Sequence, residues 1–355
     1  MRVVVTGATG NVGTSVLAAL ERDPRVTEIV GLARRVPESL LLPKVRWRQA
    51  DVTSTPLTPI FEGADAIVHL AWAIQPSHDT DAMERVNVLG SQRVFGAAAH
   101  AGVGALVHAS SVGVYAPGPK DRQVDESWPA DGIPSSSYSR HKARVERLLD
   151  DLSAGSRMRV VRLRPGLIFK AEAASEIRRF FLGPLLPNLL VRPRLIPFVP
   201  DVPGLRFQAV HADDVGEAYR LAVVGGAEGA FNIAAEPTIG PPELASLLRA
   251  RRLPIPAVAL RTAASLTWHA HLQPADVGWI DLALGAPLMD SGRARRELGW
   301  EPRVTSLDAL GELLLGLRKG RGGPTPPLDP KAGGPLRLGE LAGRVDSRNR
   351  LPGDR

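Results

Sequence analysis

Tyr138 and Lys142 stand four positions apart in Tyr138-Ser139-Arg140-His141-Lys142, and on a helix that spacing puts a phenol and an ammonium on one face. A fixed positive charge favours tyrosinate over tyrosine. Lys142 is therefore expected to draw the phenol pKa down from about 10 and let Tyr138 exchange a proton with an alcohol or a carbonyl. The alternative is an exposed surface pair with no chemistry, and only the surrounding sequence separates the two. Ser110-Ser111-Val112-Gly113-Val114-Tyr115 follows the apolar run Ala105 to Ser110. A hydroxyl there either donates to the same substrate oxygen or satisfies local backbone groups. A third feature, Thr6-Gly7-Ala8-Thr9-Gly10-Asn11-Val12-Gly13, joins the β-branched run Arg2 to Val5 to the helically spaced Val16 to Leu20. Glycines on such a turn let the backbone approach a pyrophosphate, and the free N–H groups at the helix start stabilise the anion.

The elements that position these groups alternate. Arg2 to Val5, Glu28 to Ala33, Val45 to Ala50, Ala66 to Leu70, Ala105 to Ser110 and Arg159 to Arg164 read as strands, with helical patterns at about 79–101 and 137–154. That order predicts an α/β fold, a Rossmann-type doubly wound parallel sheet with a smaller C-terminal substrate lobe. Residues 1–167 and 207–235 are expected to form the dinucleotide-binding domain, and 168–206 with 236–317 the substrate lobe. The proline-rich, apolar stretch after Pro165 predicts an irregular wall, and Phe207 to Val210 with Phe231 to Ile233 a return to the alternating pattern.

Composition narrows the function classes. The chain has 355 residues and no cysteine, which excludes disulfides, thiolate zinc sites and cysteine nucleophiles. Its apolar stretch Phe180 to Val191 contains two prolines and is too short to span a bilayer, and the chain opens on a strand in place of a leader. A cytoplasmic protein without a membrane span is expected. Of the formal charge of +7, residues 318–355 carry nine Lys/Arg against four Asp/Glu, so the body is nearly neutral. This Gly/Pro-rich basic tail is expected to be disordered, and specific nucleic-acid binding is not expected.

Taken together, the motifs resemble the extended short-chain dehydrogenase/reductase superfamily, in its NAD-dependent epimerase/dehydratase family. The resemblance covers about residues 1–317 through the glycine loop, His69-Leu70-Ala71, Asn87-Val88-Leu89-Gly90-Ser91, Ser110 to Tyr115, Tyr138 to Lys142 and Arg164-Pro165-Gly166. His211-Ala212-Asp213-Asp214-Val215, Phe231-Asn232-Ile233-Ala234 and Leu298-Gly299-Trp300 continue it. It implies Tyr138 as general acid/base, Ser111 as the substrate-oxygen ligand and Lys142 as partner of the phenol and of the nicotinamide ribose. Asn87 either joins a proton relay or holds backbone. Gly7, Thr9, Gly10, Asn11, Val12 and Gly13 would hold the pyrophosphate, Asp51 and Val52 the adenine, and Leu70, Ala71 and Pro165 further parts of the cofactor. A homodimer through the helices carrying Asn87 and Lys142 is implied too.

An NAD-specific site usually carries an acid at the end of the second strand. Here Ala33 stands there, followed by Arg34 and Arg35, which can bind a 2′-phosphate. NADP is therefore the favoured cofactor, with NAD the second choice. His211, Asp213 and Asp214 are read as helix-capping residues and no metal is expected. His269 and His271 are read as packing or surface residues. Arg178, Arg179, Arg192 and Arg194 either clamp an anionic small-molecule substrate or lie along the surface. A nucleotide sugar and an apolar carbonyl compound both stay open as substrates. Trp72 is bulky where the family often has a small residue, and is expected to narrow the cleft near the nicotinamide. The expected activity is NAD(P)-dependent oxidoreduction of a secondary alcohol or ketone, with reduction, epimerisation and dehydration open. The alternative is a non-catalytic dinucleotide-sensing or regulatory protein, which would have no need of Ser111, Tyr138 and Lys142 together.

Overall fold

In the computed structural model, which describes residues 1–74, 79–179, 196–270 and 276–330, seven strands form one sheet. They are β1 (Arg2–Thr6), β2 (Glu28–Ala33), β3 (Val45–Gln49), β4 (Ala66–His69), β5 (Ala105–Ala109), β6 (Arg159–Pro165) and β7 (Gly229–Ile233). Their spatial order is β7-β6-β5-β4-β1-β2-β3 and every pairing is parallel. This is the doubly wound, Rossmann-type sheet. Its strand order reverses between β1 and β4, so the carboxyl ends there open a crevice.

A parallel sheet covered on both faces needs strands that are apolar on both sides. The strands obey. Val3, Val5, Val68, Val107 and Val161 face one core, with Val16, Leu17 and Leu20 of α1 (Asn11–Arg22). Val4, Ile67, Leu106 and Val160 face the other, with Val94 and Phe95 of α2 (Gly90–His100) and Val145 and Leu149 of α3 (Ser137–Gly155). The first face is completed by Val215, Ala218 and Tyr219 of α4 (Ala212–Val224), which crosses α1 closely: a Cβ on Gly216 would lie 2.6 Å from the Ser15 carbonyl oxygen.

Outside the sheet, Ala209–His211 pairs with Leu167–Phe169 in a separate two-stranded ribbon, and Phe207 bridges to Ile239. The strand read from Phe207 to Val210 is thus shifted and does not join the sheet. Phe198–Asp201 pairs with Arg251–Pro254. Helices α5 (Pro241–Leu248), α6 (Ala257–His269), α7 (Val277–Gly285) and α8 (Ser306–Lys319) follow.

The expectation of a disordered tail from residue 318 is corrected for 318–330. Arg318 and Lys319 close α8, and the chain then turns back at Gly320 with φ +61. Thr325 and Leu328 are buried, and the Thr325 hydroxyl donates to the Thr9 carbonyl at 2.7 Å. Ser39 Oγ donates to the Pro324 carbonyl at 3.0 Å. A Gly/Pro-rich composition suggested disorder, but two side chains of this segment find burial against the rest of the fold. Residues 331–355, most of the expected irregular wall (180–195) with Arg192 and Arg194, and His271 lie outside the described residues.

Candidate active site

The glycine loop leaves β1 and enters α1 under the segment that follows β4. Gly7 has φ +67, and a Cβ there would sit 2.7 Å from the Ala71 nitrogen. A Cβ on Gly13 would sit 2.4 Å from the Gly7 oxygen, so both glycines are demanded by close backbone approach. Gly10 differs: its Cβ would meet only the Gly7 oxygen, at 3.5 Å, which leaves an open cradle at the helix start. The N–H groups of Asn11, Val12 and Gly13 have no carbonyl four residues back within the helix. A pyrophosphate fits that cradle. Asn11 Nδ2 donates to the Ile168 carbonyl at 3.3 Å while its buried Oδ1 has no partner among the described residues. Lys170 was not singled out from sequence because it lies far along the chain. Its buried ammonium donates to Asn11 O at 2.8 Å, Thr14 Oγ1 at 2.7 Å and Ser15 Oγ at 3.1 Å, adding a cation beside the loop.

His69 fixes the end of β4. Its ring bridges Thr6 Oγ1 at 2.7 Å and Ser91 Oγ at 3.0 Å, and burial followed by the Lys142 charge pushes its pKa down to about 3. Leu70 and Ala71 then lie over the loop, the Ala71 N–H donating to Thr6 Oγ1 at 3.3 Å. At the other end of the crevice, Ala33 is buried while Arg34 and Arg35 are exposed. Partial desolvation and the neighbouring Arg34 charge both lower the Arg35 pKa. Asp51 Oδ1 accepts from the N–H and hydroxyl of Thr53, at 2.8 and 2.6 Å. Val52 is buried against Gly90. Pro165 ends β6 beside Ile233.

Ser111, Tyr138 and Lys142 meet beyond the end of β5. Ser111 caps a short turn, its Oγ accepting from the Gly113 N–H at 3.0 Å. A Cβ on Gly113 would lie 2.8 Å from the Tyr138 ring, so the glycine lets the ring approach. Trp279 of α7 covers that ring at 5.3 Å between centroids, and Trp72 meets it edge-on at 6.1 Å. This enclosure reverses the expected effect on the phenol. Burial pushes the Tyr138 pKa up to about 12, against the opposing pull of Ser111.

Lys142 does not offset that burial. Its Nζ is buried, donates to the Ala109 carbonyl at 2.6 Å and lies 3.4 Å from the Trp72 ring centroid, but 5.8 Å from that of Tyr138. Burial lowers its own pKa well below the usual lysine range, with Glu146 opposing. An ammonium turned toward Trp72 and a carbonyl does little to hold a tyrosinate. The buried Nε1 of Trp72 has no partner among the described residues. Asn87 sits in a π-helical turn, Arg85–Leu89, that widens the helix leading into α2. It accepts from the Ala73 N–H at 2.7 Å and donates to the Ala73 carbonyl at 3.0 Å, so it holds backbone.

Behind these groups runs a buried network that sequence reasoning missed. Glu146 accepts from Ser110 Oγ at 2.5 Å and from Arg164 at 2.9 and 2.5 Å. Arg164 also donates to Tyr115 Oη at 3.0 Å, which in turn donates to Asn232 at 2.6 Å. The signal was present as spacing, since Glu146 lies one further helical step along the face of Tyr138 and Lys142. Elsewhere, His211 caps α4 by accepting from the Asp213 N–H, Asp213 accepts from Ser15 Oγ at 2.7 Å, and Asp214 accepts from Arg303 and Val304. Arg179 donates to the carbonyls of Pro327 and Asp329, and Arg178 is buried. His269 is exposed at the end of α6.

A seven-stranded parallel sheet with a pyrophosphate cradle at its switch point defines a Rossmann-type dinucleotide-binding protein. The chain belongs to the NAD dependent epimerase/dehydratase family, whose sequence model matches residues 3–234. It is 31% identical over 338 residues to a 4-hydroxy-2-methyl-3-oxo-4-farnesyl-3,4-dihydroquinoline-1-oxide ketoreductase of Stigmatella aurantiaca, covering 87% of this chain and 96% of that protein. It is 27% identical to dTDP-glucose 4,6-dehydratase of Streptomyces griseus, over 90% of this chain and 94% of that one. In fold it is similar to the Thermus thermophilus UDP-glucose 4-epimerase in complex with NAD, with a TM-score of 0.65, 21% identity, and 90% and 99% of the two chains covered. Membership and relatives together make it an enzyme of the oxidoreductase and epimerase kind.

The Glu146 network yields a stability test. Burial alone would raise the Glu146 pKa, but Arg164 holds it below the usual carboxylate range. Its stabilisation is therefore complete above about pH 4.5 and lost as pH falls through the lowered native pKa. Glu146→Gln should cost about 3 kcal/mol in urea unfolding at pH 7, by leaving Arg164 buried without its anion. The variant should also lose less stability than the parent on acidification.

Proposed function

We propose that the protein reduces a ketone, or oxidises the corresponding secondary alcohol, with Tyr138 as general acid/base. The convergence of Ser111, Tyr138 and Lys142 at the end of β5, facing the crevice of the glycine loop, carries this reading. When bound, the nicotinamide supplies or takes the hydride. Ser111 holds the substrate oxygen, and Tyr138 gives that oxygen its proton or removes it. Lys142 holds the ribose through its remaining donor capacity, and Asn87 keeps Ala73 in place beside it. Gly7, Thr9, Gly10, Asn11, Val12 and Gly13 carry the pyrophosphate; Leu70, Ala71 and Pro165 line the path to the nicotinamide; Asp51 and Val52 take the adenine. A relative named as a ketoreductase, 31% identical against 27% for the dehydratase at similar coverage, supports reduction.

A phenol with its pKa raised to about 12 is protonated throughout the neutral range, which suits a proton donor. Ketone reduction should therefore be flat from about pH 6 to 9, while alcohol oxidation, which needs the tyrosinate, should rise about tenfold per pH unit. Tyr138→Phe should lower both rates by about 100-fold or more. Unchanged turnover in that variant would remove Tyr138 from the chemistry.

The preferred cofactor in this proposal is NADP. Ala33 offers no carboxylate to repel a 2′-phosphate, and the adjacent charges of Arg34 and Arg35 are relieved by an anion. Replacing both arginines by alanine should weaken NADPH binding by about 10- to 100-fold in calorimetry and NADH binding by less than about twofold.

The same proposal includes a cytoplasmic homodimer joined through the helices of Asn87 and Lys142. Leu89, 45% exposed on the first of them, supports that contact. Light scattering at micromolar concentration should give twice the 37.9 kDa of one chain.

A further inference from the structure

A second cavity, of about 400 Å³, lies between α6 and α7, a volume within the range of small-molecule sites. Leu205, Leu260, Ala263, Ile280 and Leu284 make most of its wall. Among the described lining residues Asp276 is the one ionisable side chain. The cavity is not remote from the chemistry. Asp276 and Trp279 also line the narrow cleft that contains Tyr138 and Asn87, so one pair of residues forms the partition between the two spaces.

The helices explain why this space is apolar. α7 reads Val277-Gly278-Trp279-Ile280-Asp281-Leu282-Ala283-Leu284-Gly285, a composition normally buried on all sides, yet Gly278 is its one fully buried residue. It docks beside α3 at that glycine, where a Cβ would lie 2.5 Å from the Ser135 carbonyl oxygen. Leu282 reaches the turn at Gly113, within 3.4 Å of where a Cβ would stand. Ile280 and Leu284 are left to the cavity. On α6, Val258 and Leu266 are 73% and 66% exposed, so this part of the molecule presents more apolar surface than its own packing uses.

A diphosphate entering here would meet the Asp276 carboxylate and apolar walls, with no cation among the described lining residues. A hydrocarbon group would bury its surface against leucine, isoleucine and alanine side chains. We propose that the α6–α7 cavity holds the hydrocarbon chain or ring system of an apolar ketone or alcohol whose oxygen reaches Tyr138 past Trp279 and Asp276. This rests on the reading of Tyr138 as the acid/base, and extends it from a reaction type to a substrate class.

The test uses the full chain with NADPH and a series of alkan-2-ones, from butanone to dodecan-2-one. Both kcat/KM and calorimetric binding are measured. Each methylene entering the cavity should raise kcat/KM about three- to fourfold until the chain outgrows the space. Ala263→Trp, which fills the cavity from the exposed side of α6, should flatten that dependence, and Ile280→Asp should do the same by making the wall polar. NADPH binding by each variant checks that it is folded. Turnover without chain-length dependence in the parent overturns the cavity assignment and leaves the acid/base reading standing. A dependence untouched by either folded variant also overturns the assignment. Chain-length-dependent binding that both variants abolish, without turnover of any ketone, upholds the cavity and overturns the hydride-transfer reading. Failure of every alkanone to bind, with turnover of a nucleotide sugar instead, overturns the proposed substrate class.

Discussion

One face of α3 carries Tyr138, Lys142 and Glu146 against the carboxyl ends of β5 and β6, and three groups that water would otherwise solvate must find partners there. Each finds a different one. Glu146 takes the guanidinium of Arg164 and the hydroxyl of Ser110. Lys142 takes the Ala109 carbonyl and the face of Trp72. Tyr138 packs its ring on the turn at Gly113 under the cover of Trp279. Removing a partner from such a helix face leaves a buried charge or donor unsatisfied, at a cost of several kcal/mol. The carboxyl ends of β5 and β6 are thereby tied to one register of α3.

The same burial decides the electrostatics. A lysine four residues from a tyrosine lowers its pKa only if the ammonium is near the oxygen and the site is solvated enough to keep the charge. Here two tryptophans pack against the half-buried Tyr138 ring, and the ammonium points elsewhere. Desolvation then outweighs the coupling that spacing suggested. The outcome favours a proton donor, which agrees with ketone reduction.

Much of the fold was legible because it rests on local patterns. The alternation of β-branched runs with helical spacing identified all seven strands of the sheet, and the apolar character of β1 and β4 on both faces is what a doubly covered parallel sheet requires. The glycine loop was legible for the same reason, since Gly7 and Gly13 are demanded by backbone contacts within a few residues or with the next strand end. Composition misled where tertiary contacts overrode it. Residues 321–330 of the Gly/Pro-rich stretch are held by Thr325 on Thr9, a contact between residues 316 positions apart.

Sequence alone determined the class: a parallel α/β sheet, a pyrophosphate turn, and a Ser111, Tyr138 and Lys142 group at the end of one strand. The sheet and the turn follow from periodicity and short spacings, which every residue carries in its immediate neighbours, whereas the Ser111, Tyr138 and Lys142 group was implied by the resemblance to a known family. Only the tertiary structure decided that Asn87 holds Ala73, that Lys170 stands beside the glycine loop, that Lys142 turns to Trp72, and that α6 and α7 open an apolar space next to Tyr138. These depend on which distant segments are packed together and on how much water the packing leaves, and neither quantity is written in local sequence.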